Sequence, residues 1–205
     1  MIRSVAVIGA RGQMGALILD RCREAGLEGR ALNRPLEDED LRRGLDGVDL
    51  ALVSVPLWAM GEVLERVAPF LDPATILSDV CSVKVEPLRL MLKVFEGPVT
   101  GTHPLFGPVI PEGFDPRVAV VEGRGETAAR RTSEFFAALR FTPFEATAEE
   151  HDEAMAKIQG LNFTTTVAYL ACLARTPDVA KYVTPSFERR LEAARKMIIE
   201  DKDLF

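Results

Sequence analysis

Residues Val5-Ala6-Val7-Ile8-Gly9-Ala10-Arg11-Gly12-Gln13-Met14-Gly15-Ala16-Leu17-Ile18-Leu19 decide how this chain folds: an apolar run, a turn with glycine at every third position, then a helical run. The order strand, glycine turn, helix carries more information than the glycines alone. A strand that reverses tightly into a helix needs residues without Cβ at the turn and where the helix packs on the strand. A bare backbone between them lets an anion approach the free N–H groups and the positive dipole end of the helix. The spacing G-x-x-G-x-x-G is one residue longer than the commoner G-x-G-x-x-G, and an ordinary turn is the plain alternative. Its place directly after an apolar strand favours a dinucleotide phosphate site, with Gly9, Arg11, Gly12, Gln13, Met14 and Gly15 as candidate contacts.

Moving outward, the second strand is expected near Gly29-Arg30-Ala31-Leu32, ending at Asn33-Arg34. Enzymes that use NAD commonly present Asp or Glu there to the ribose hydroxyls, and no acid stands at Asn33. An Asn that bonds ribose, beside a guanidinium able to pair with a 2′-phosphate, places NADP ahead of NAD. Arg11 adds a second positive charge; Arg34 as a solvated surface cation is the alternative. Continuous apolar runs at Leu50–Val55, Thr75–Ser78, Val99–Gly101 and Val118–Val121 alternate with helical patterns at Met60–Phe70, Val85–Phe95 and Thr127–Leu139. This alternation predicts a doubly wound parallel α/β sheet of the Rossmann type over residues 1–146. Ligands of such sheets gather beyond the carboxyl ends of the strands. There lie Ser54-Val55-Pro56, Asp79-Val80-Cys81-Ser82 and Thr102-His103-Pro104, with Ser54 and Pro56 as further cofactor candidates.

Residues 147–205 read as a smaller all-α domain. Thr147-Ala148-Glu149-Glu150 fits a capping box that starts a long helix, with His151, Met155, Ile158 and Asn162 spaced to share one face. Thr184-Pro185 fits an N-cap and first helical residue for a helix bearing Phe187, Leu191, Ala194 and Ile198. So short a segment leaves much apolar surface uncovered, which two copies packing together would solve; a homodimer is expected.

The 205 residues, at 22.5 kDa and 47% hydrophobic, suit one full domain and this smaller one. A net charge of −6 without a basic block argues against nucleic acid or a membrane surface as partner. Met1 leads almost directly into the first strand, leaving no targeting segment in the sequence given, so the cytoplasm is the expected location. Cys22, Cys81 and Cys172 lack paired spacing and are expected as reduced thiols, with no metal site.

Asp79-Val80-Cys81-Ser82-Val83-Lys84, Gly101-Thr102-His103-Pro104-Leu105-Phe106-Gly107-Pro108 and Glu150-His151-Asp152, taken with the three glycines, resemble the successive signatures of prephenate dehydrogenases. The resemblance covers nearly the whole chain. It implies a Rossmann domain joined to a helical dimerisation domain, and oxidative decarboxylation of prephenate to 4-hydroxyphenylpyruvate, with hydride passing to NAD or NADP, on the route to tyrosine. It implies His103 as the catalytic group: the ring hydroxyl loses a proton as its carbon becomes a carbonyl, and an imidazole titrating near pH ~6.5 is a suitable acceptor. Ser82 matches a serine that hydrogen-bonds the reacting hydroxyl or the imidazole, although it also stands where a helix N-cap would. His151 matches a substrate-binding or gating position, and Arg189 a guanidinium for a substrate carboxylate, with Arg190 adjacent. Chains of that family generally continue past a point corresponding to Phe205, which leaves open whether the helical domain is complete.

Three other readings compete. Arogenate shares the ring chemistry. β-Hydroxyacid dehydrogenases also carry G-x-x-G-x-M-G, but rely on a lysine in the helical domain, for which Lys157 is the obvious candidate. A dinucleotide-binding regulatory protein without catalysis would bind cofactor and leave prephenate untouched.

Overall fold

A computed structural model describes residues 1–195 and residue 197; Ile198, expected on the last helix, lies outside the described residues. The chain divides into two compact units, Met1–Asp152 and Glu153–Phe205.

The first unit is built on a seven-stranded sheet in the order β2-β1-β3-β4-β5-β6-β7. Its strands are β1 (Ser4–Ile8), β2 (Glu28–Leu32), β3 (Leu50–Val53), β4 (Ile76–Asp79), β5 (Val99–Pro104), β6 (Arg117–Arg124) and β7 (Thr142–Ala146). The first five are mutually parallel, so their carboxyl ends share one edge. Connecting helices are α1 (Gln13–Glu24), α2 (Asp38–Leu45), α3 (Leu57–Val67), α4 (Val85–Val94) and α5 (Ala128–Ala138). Alternate side chains of each strand feed opposite faces. Ala6 and Ile8 pack with Leu41, Met60 and Met91 under α2, α3 and α4, while Val5 and Val7 pack with Ile18, Phe135 and Phe136 under α1 and α5. A sheet covered on both faces explains why its strands read as unbroken apolar runs.

The sheet departs from the all-parallel expectation at β6, which runs antiparallel to β5. No helix lies between those two strands, and without a crossover the chain returns antiparallel. Strand β7 was hidden in the sequence by Pro143 and a mostly exposed pattern; it is an edge strand, the place where proline is tolerated.

Past β7, α6 (Ala148–Met155) begins with the expected capping box. The Glu150 N–H donates to Thr147 Oγ1 at 3.2 Å and the Thr147 N–H donates to Glu150 Oε2 at 3.1 Å. Compactness changes after Asp152 rather than at residue 146, because the Asp152 carboxylate is bonded into the first unit.

The second unit contains α7 (Leu161–Leu173) and α8 (Pro185–Arg195). A π-helical turn at Ala156–Gly160 precedes α7 and shifts the helical register. The single face expected for His151, Met155, Ile158 and Asn162 therefore does not persist: Met155 is buried and Ile158 is exposed. Thr184 caps α8 as its sequence suggests, accepting the Phe187 N–H at 3.3 Å. No described helix is long and apolar enough to cross a membrane.

Candidate active site

Strand order reverses direction between β1 and β3, and a crevice opens at such a switch point beyond the strand ends. The glycine turn occupies one wall. Gly9 has φ +91°, a conformation other residues rarely adopt, and a Cβ there would lie 2.2 Å from the Ser54 carbonyl oxygen. A Cβ on Gly15 would lie 2.7 Å from the Gly9 oxygen, so that glycine lets α1 pack against the turn. Gly12 is the N-cap of α1, and no side chain caps that end. This is the arrangement a pyrophosphate needs: close backbone approach and unsatisfied helix N–H groups.

A cavity of about 280 Å³ opens beside it, lined by Gly9, Gly12, Asn33, Arg34, Ser54 and Pro56 among others. Six sequence-derived candidates thus converge from the ends of β1, β2 and β3. Trp58, 76% exposed, also lines it and was not anticipated; its ring offers a stacking surface for a base. A neighbouring cavity of about 670 Å³ is edged by Arg11, Arg30, Arg34 and Arg43, with Asp40 facing them. Asn33 Oδ1 accepts the Arg11 N–H at 2.7 Å, so its oxygen is spent on the glycine turn and its NH₂ remains. Arg34 pairs with Glu62 at 3.2 Å on the surface. Met14 is partly buried and packs on the core beneath α1, whereas Gln13 is exposed at the start of that helix.

A second cluster lies at the carboxyl ends of β4 and β5. His103 is 4% exposed, and its Nδ1 is 2.9 Å from Nε2 of His151, which is also 4% exposed. The His103 Nε2 has no hydrogen-bond partner among the described residues. His151 Nδ1 lies 2.8 Å from Asp152 Oδ1. Asp152 also accepts the backbone N–H groups of Lys84 at 2.6 Å and Val85 at 2.9 Å, so it caps α4 from 67 residues away. Ser82 is consequently not the N-cap: α4 starts at Val85, and Ser82 stays half-buried with no side-chain hydrogen bond among the described residues.

Below the imidazoles, Lys84 is fully buried and bonds Asp79 Oδ2 and the Thr102 carbonyl, each at 2.5 Å. Asp79 further accepts the Cys81 N–H at 2.8 Å and the Thr102 N–H at 3.3 Å. This ion pair ties the loop after β4 to the strand residue preceding His103. Lys84 and Asp79 stood in the sequence motif but received no role; only the tertiary contact reveals one.

Burial, then the Lys84 ammonium, then His151 push the His103 imidazole down to about 3, against a small opposing pull from Asp152. The expectation of a group titrating near 6.5 is therefore corrected: His103 is held neutral across the physiological range. For Asp152, burial works upward, but the Val85 N–H, His151 and the Lys84 N–H outweigh it and leave the carboxyl below its ordinary range. Cys22, Cys81 and Cys172 are free thiols. Burial pushes Cys22 up to about 12 and Cys81 higher still, so neither is a nucleophile.

In the second unit, Arg189 is exposed on α8, and the Arg190 guanidinium stands over the Tyr169 ring at 3.9 Å from its centre. Lys157 forms an exposed i,i+4 pair with Glu153 at 2.7 Å.

Residues 12–115 match the family model described as prephenate dehydrogenase, nucleotide-binding domain. The T-proteins of Haemophilus influenzae and Enterobacter agglomerans are 29% and 30% identical over the whole of this chain and 55% of their own lengths, so the chain spans about half of each. A crystal structure of prephenate dehydrogenase from A. aeolicus in complex with hydroxyphenyl propionate and NAD+ superposes with TM-score 0.79 at 16% identity, covering 100% of this chain and 85% of that one. That likeness concerns the fold. The sequence match to half of the chain, from Gly12 through the ends of β3, β4 and β5 described above, places this protein in the prephenate dehydrogenase family.

Proposed function

We propose that this chain oxidises prephenate with decarboxylation, using a nicotinamide dinucleotide seated on the glycine turn. One observation carries the reading. His103 stands on the sheet edge that also holds the turn, neutral, with one ring nitrogen engaged by His151 and the other without a partner among the described residues. When bound, the dinucleotide supplies the acceptor for the hydride that leaves the ring carbon. His103 takes the proton of the hydroxyl on that carbon, and Ser82, whose side chain has no hydrogen bond among the described residues, is available to orient the hydroxyl. Departure of the ring carboxyl as carbon dioxide makes the ring aromatic. Arg189 is the proposed carboxylate ligand, since Arg190 is engaged over Tyr169 and Arg189 is exposed. The exposed pairing of Lys157 with Glu153 gives the β-hydroxyacid dehydrogenase reading no support.

Within this reading NADP stands ahead of NAD: Arg11 and Arg34 border the larger cavity, and no carboxylate stands at position 33. Releasing Arg34 from Glu62 costs little, since exposed pairs contribute about 0–1 kcal/mol. Residues 147–205 are read as belonging to an all-α dimerisation domain of a cytoplasmic homodimer, consistent with the exposed apolar side chains Ile158, Leu161 and Val167.

The test is reduced-cofactor absorbance with prephenate and, separately, arogenate, each run with NADP and with NAD. Turnover of prephenate is expected, and His103→Asn is expected to lower kcat by about a thousandfold with little change in KM. Dinucleotide binding without turnover of either substrate would replace this reading with a regulatory one.

A further inference from the structure

Three groups in line, His103, His151 and Asp152, determine which hydrogen sits where. A carboxylate only accepts, so the 2.8 Å contact puts a hydrogen on His151 Nδ1. For an uncharged pair of rings, His151 Nε2 is then an acceptor, and the hydrogen in the 2.9 Å contact belongs to His103 Nδ1. What remains on His103 is a bare lone pair at Nε2. We propose that His151 and Asp152 are positioning residues that hold His103 in its Nδ1–H tautomer and thereby make its Nε2 the proton acceptor. This rests on the reading of His103 as the base and adds what sets it.

The surroundings favour the same arrangement. Asp152 cannot turn away, because both its oxygens are occupied by the Lys84 and Val85 N–H groups at the start of α4. Among the described residues, the charged groups acting on His103 are Lys84, whose own partner is Asp79, and Asp152 from α6; on β6 the residue opposite His103 is Ala119. Lys84 opposes a cation on His103, and the Asp152 carboxylate lies against the far nitrogen of the His151 ring. The contacts give the proton a continuous course. The substrate O–H bond breaks and its proton joins His103 Nε2; the Nδ1 proton of His103 passes to His151 Nε2; the resulting imidazolium rests against the Asp152 carboxylate. The electron pair of the breaking C–H bond leaves as hydride to the nicotinamide dinucleotide, so His103 ends uncharged.

Long-range ¹⁵N–¹H correlation spectra of the imidazoles in the full chain, without ligand, read the tautomer directly. His103 is expected with Nδ1 protonated and Nε2 bare; an Nε2–H tautomer in the unmodified chain overturns the proposal whether or not any variant folds. His151→Phe removes the acceptor, so His103 should move towards Nε2–H and kcat should fall about a hundredfold with KM changed less than twofold. His151→Gln places an amide oxygen near the lost Nε2 and should restore the Nδ1–H signature and part of kcat. A rise in KM at unchanged kcat in both variants would make His151 a substrate ligand and sink the positioning role. Should the unmodified chain show the expected tautomer, and lose it in His151→Phe, yet leave prephenate untouched, the substrate reading fails and the positioning one stands.

Discussion

The glycine turn and the histidine cluster occupy the same edge of one sheet, yet they are made in different ways. The turn is written in eleven consecutive residues, Val5 to Gly15, and each glycine answers a contact made by its near neighbours or by the adjacent strand β3. The cluster joins Asp79, Lys84, His103, His151 and Asp152, which meet only after β4, β5 and α6 are in place. A site built locally can change its chemistry without endangering the fold. A site built from long-range buried polar contacts cannot, because every member is also a structural tie.

The sharpest break of this comparison is Lys84→Met. The substitution leaves the Asp79 carboxylate fully buried beside an apolar side chain, keeping only its backbone donors. Removing one partner of a buried pair costs roughly 3–5 kcal/mol. Urea unfolding followed by circular dichroism should show a loss of that order, accompanied by loss of turnover. A change below about 1 kcal/mol would mean that the pair is not a tie between β4 and β5.

A smaller effect follows from His103 itself. Its imidazole titrates at about 3 in the folded chain and near 6.5 when unfolded, so between those values the unfolded chain binds the extra proton. Stability is complete above the unfolded value and declines as pH falls through this window. From pH 6.5 to about 5.5, above the range where carboxylates protonate, the decline is of the order of 1 kcal/mol. The urea midpoint of the unmodified chain should therefore drop with acidification, and His103→Asn should flatten that slope. Equal slopes in both proteins would show that His103 is not held neutral.

How much of this was legible in the sequence follows from the same division. Strand, turn and helix at residues 4–24, the capping box at Thr147 and Glu150, and the N-cap at Thr184 rest on neighbours in sequence, and the side chains meet as their spacing demands. His103 and His151 could be singled out by residue type and motif, but not their contact across 48 positions. Capping of α4 by Asp152 was invisible for the same reason, and Ser82 stood in its place. Strand β7 escaped because an exposed edge strand with a proline loses the alternation that marks a half-buried one. The direction of β6 escaped because apolar runs reveal burial and not orientation.

The mildest change tests the other half of the comparison. Arg34 is exposed, its ion pair with Glu62 lies in solvent, and its guanidinium edges both cavities beside the glycine turn. Arg34→Ala therefore should leave the urea midpoint almost unmoved, within about 0.5 kcal/mol. The ratio of kcat/KM for NADP over NAD should nevertheless fall about tenfold, since one charge-assisted contact to a 2′-phosphate is worth about 1.4 kcal/mol or more. An unchanged ratio would take the phosphate role from Arg34 and leave NADP preference resting on Arg11 and Asn33. A large loss of stability would strike deeper: the dinucleotide half would then be held by long-range polar ties as well, and the contrast between the two halves of the site would disappear.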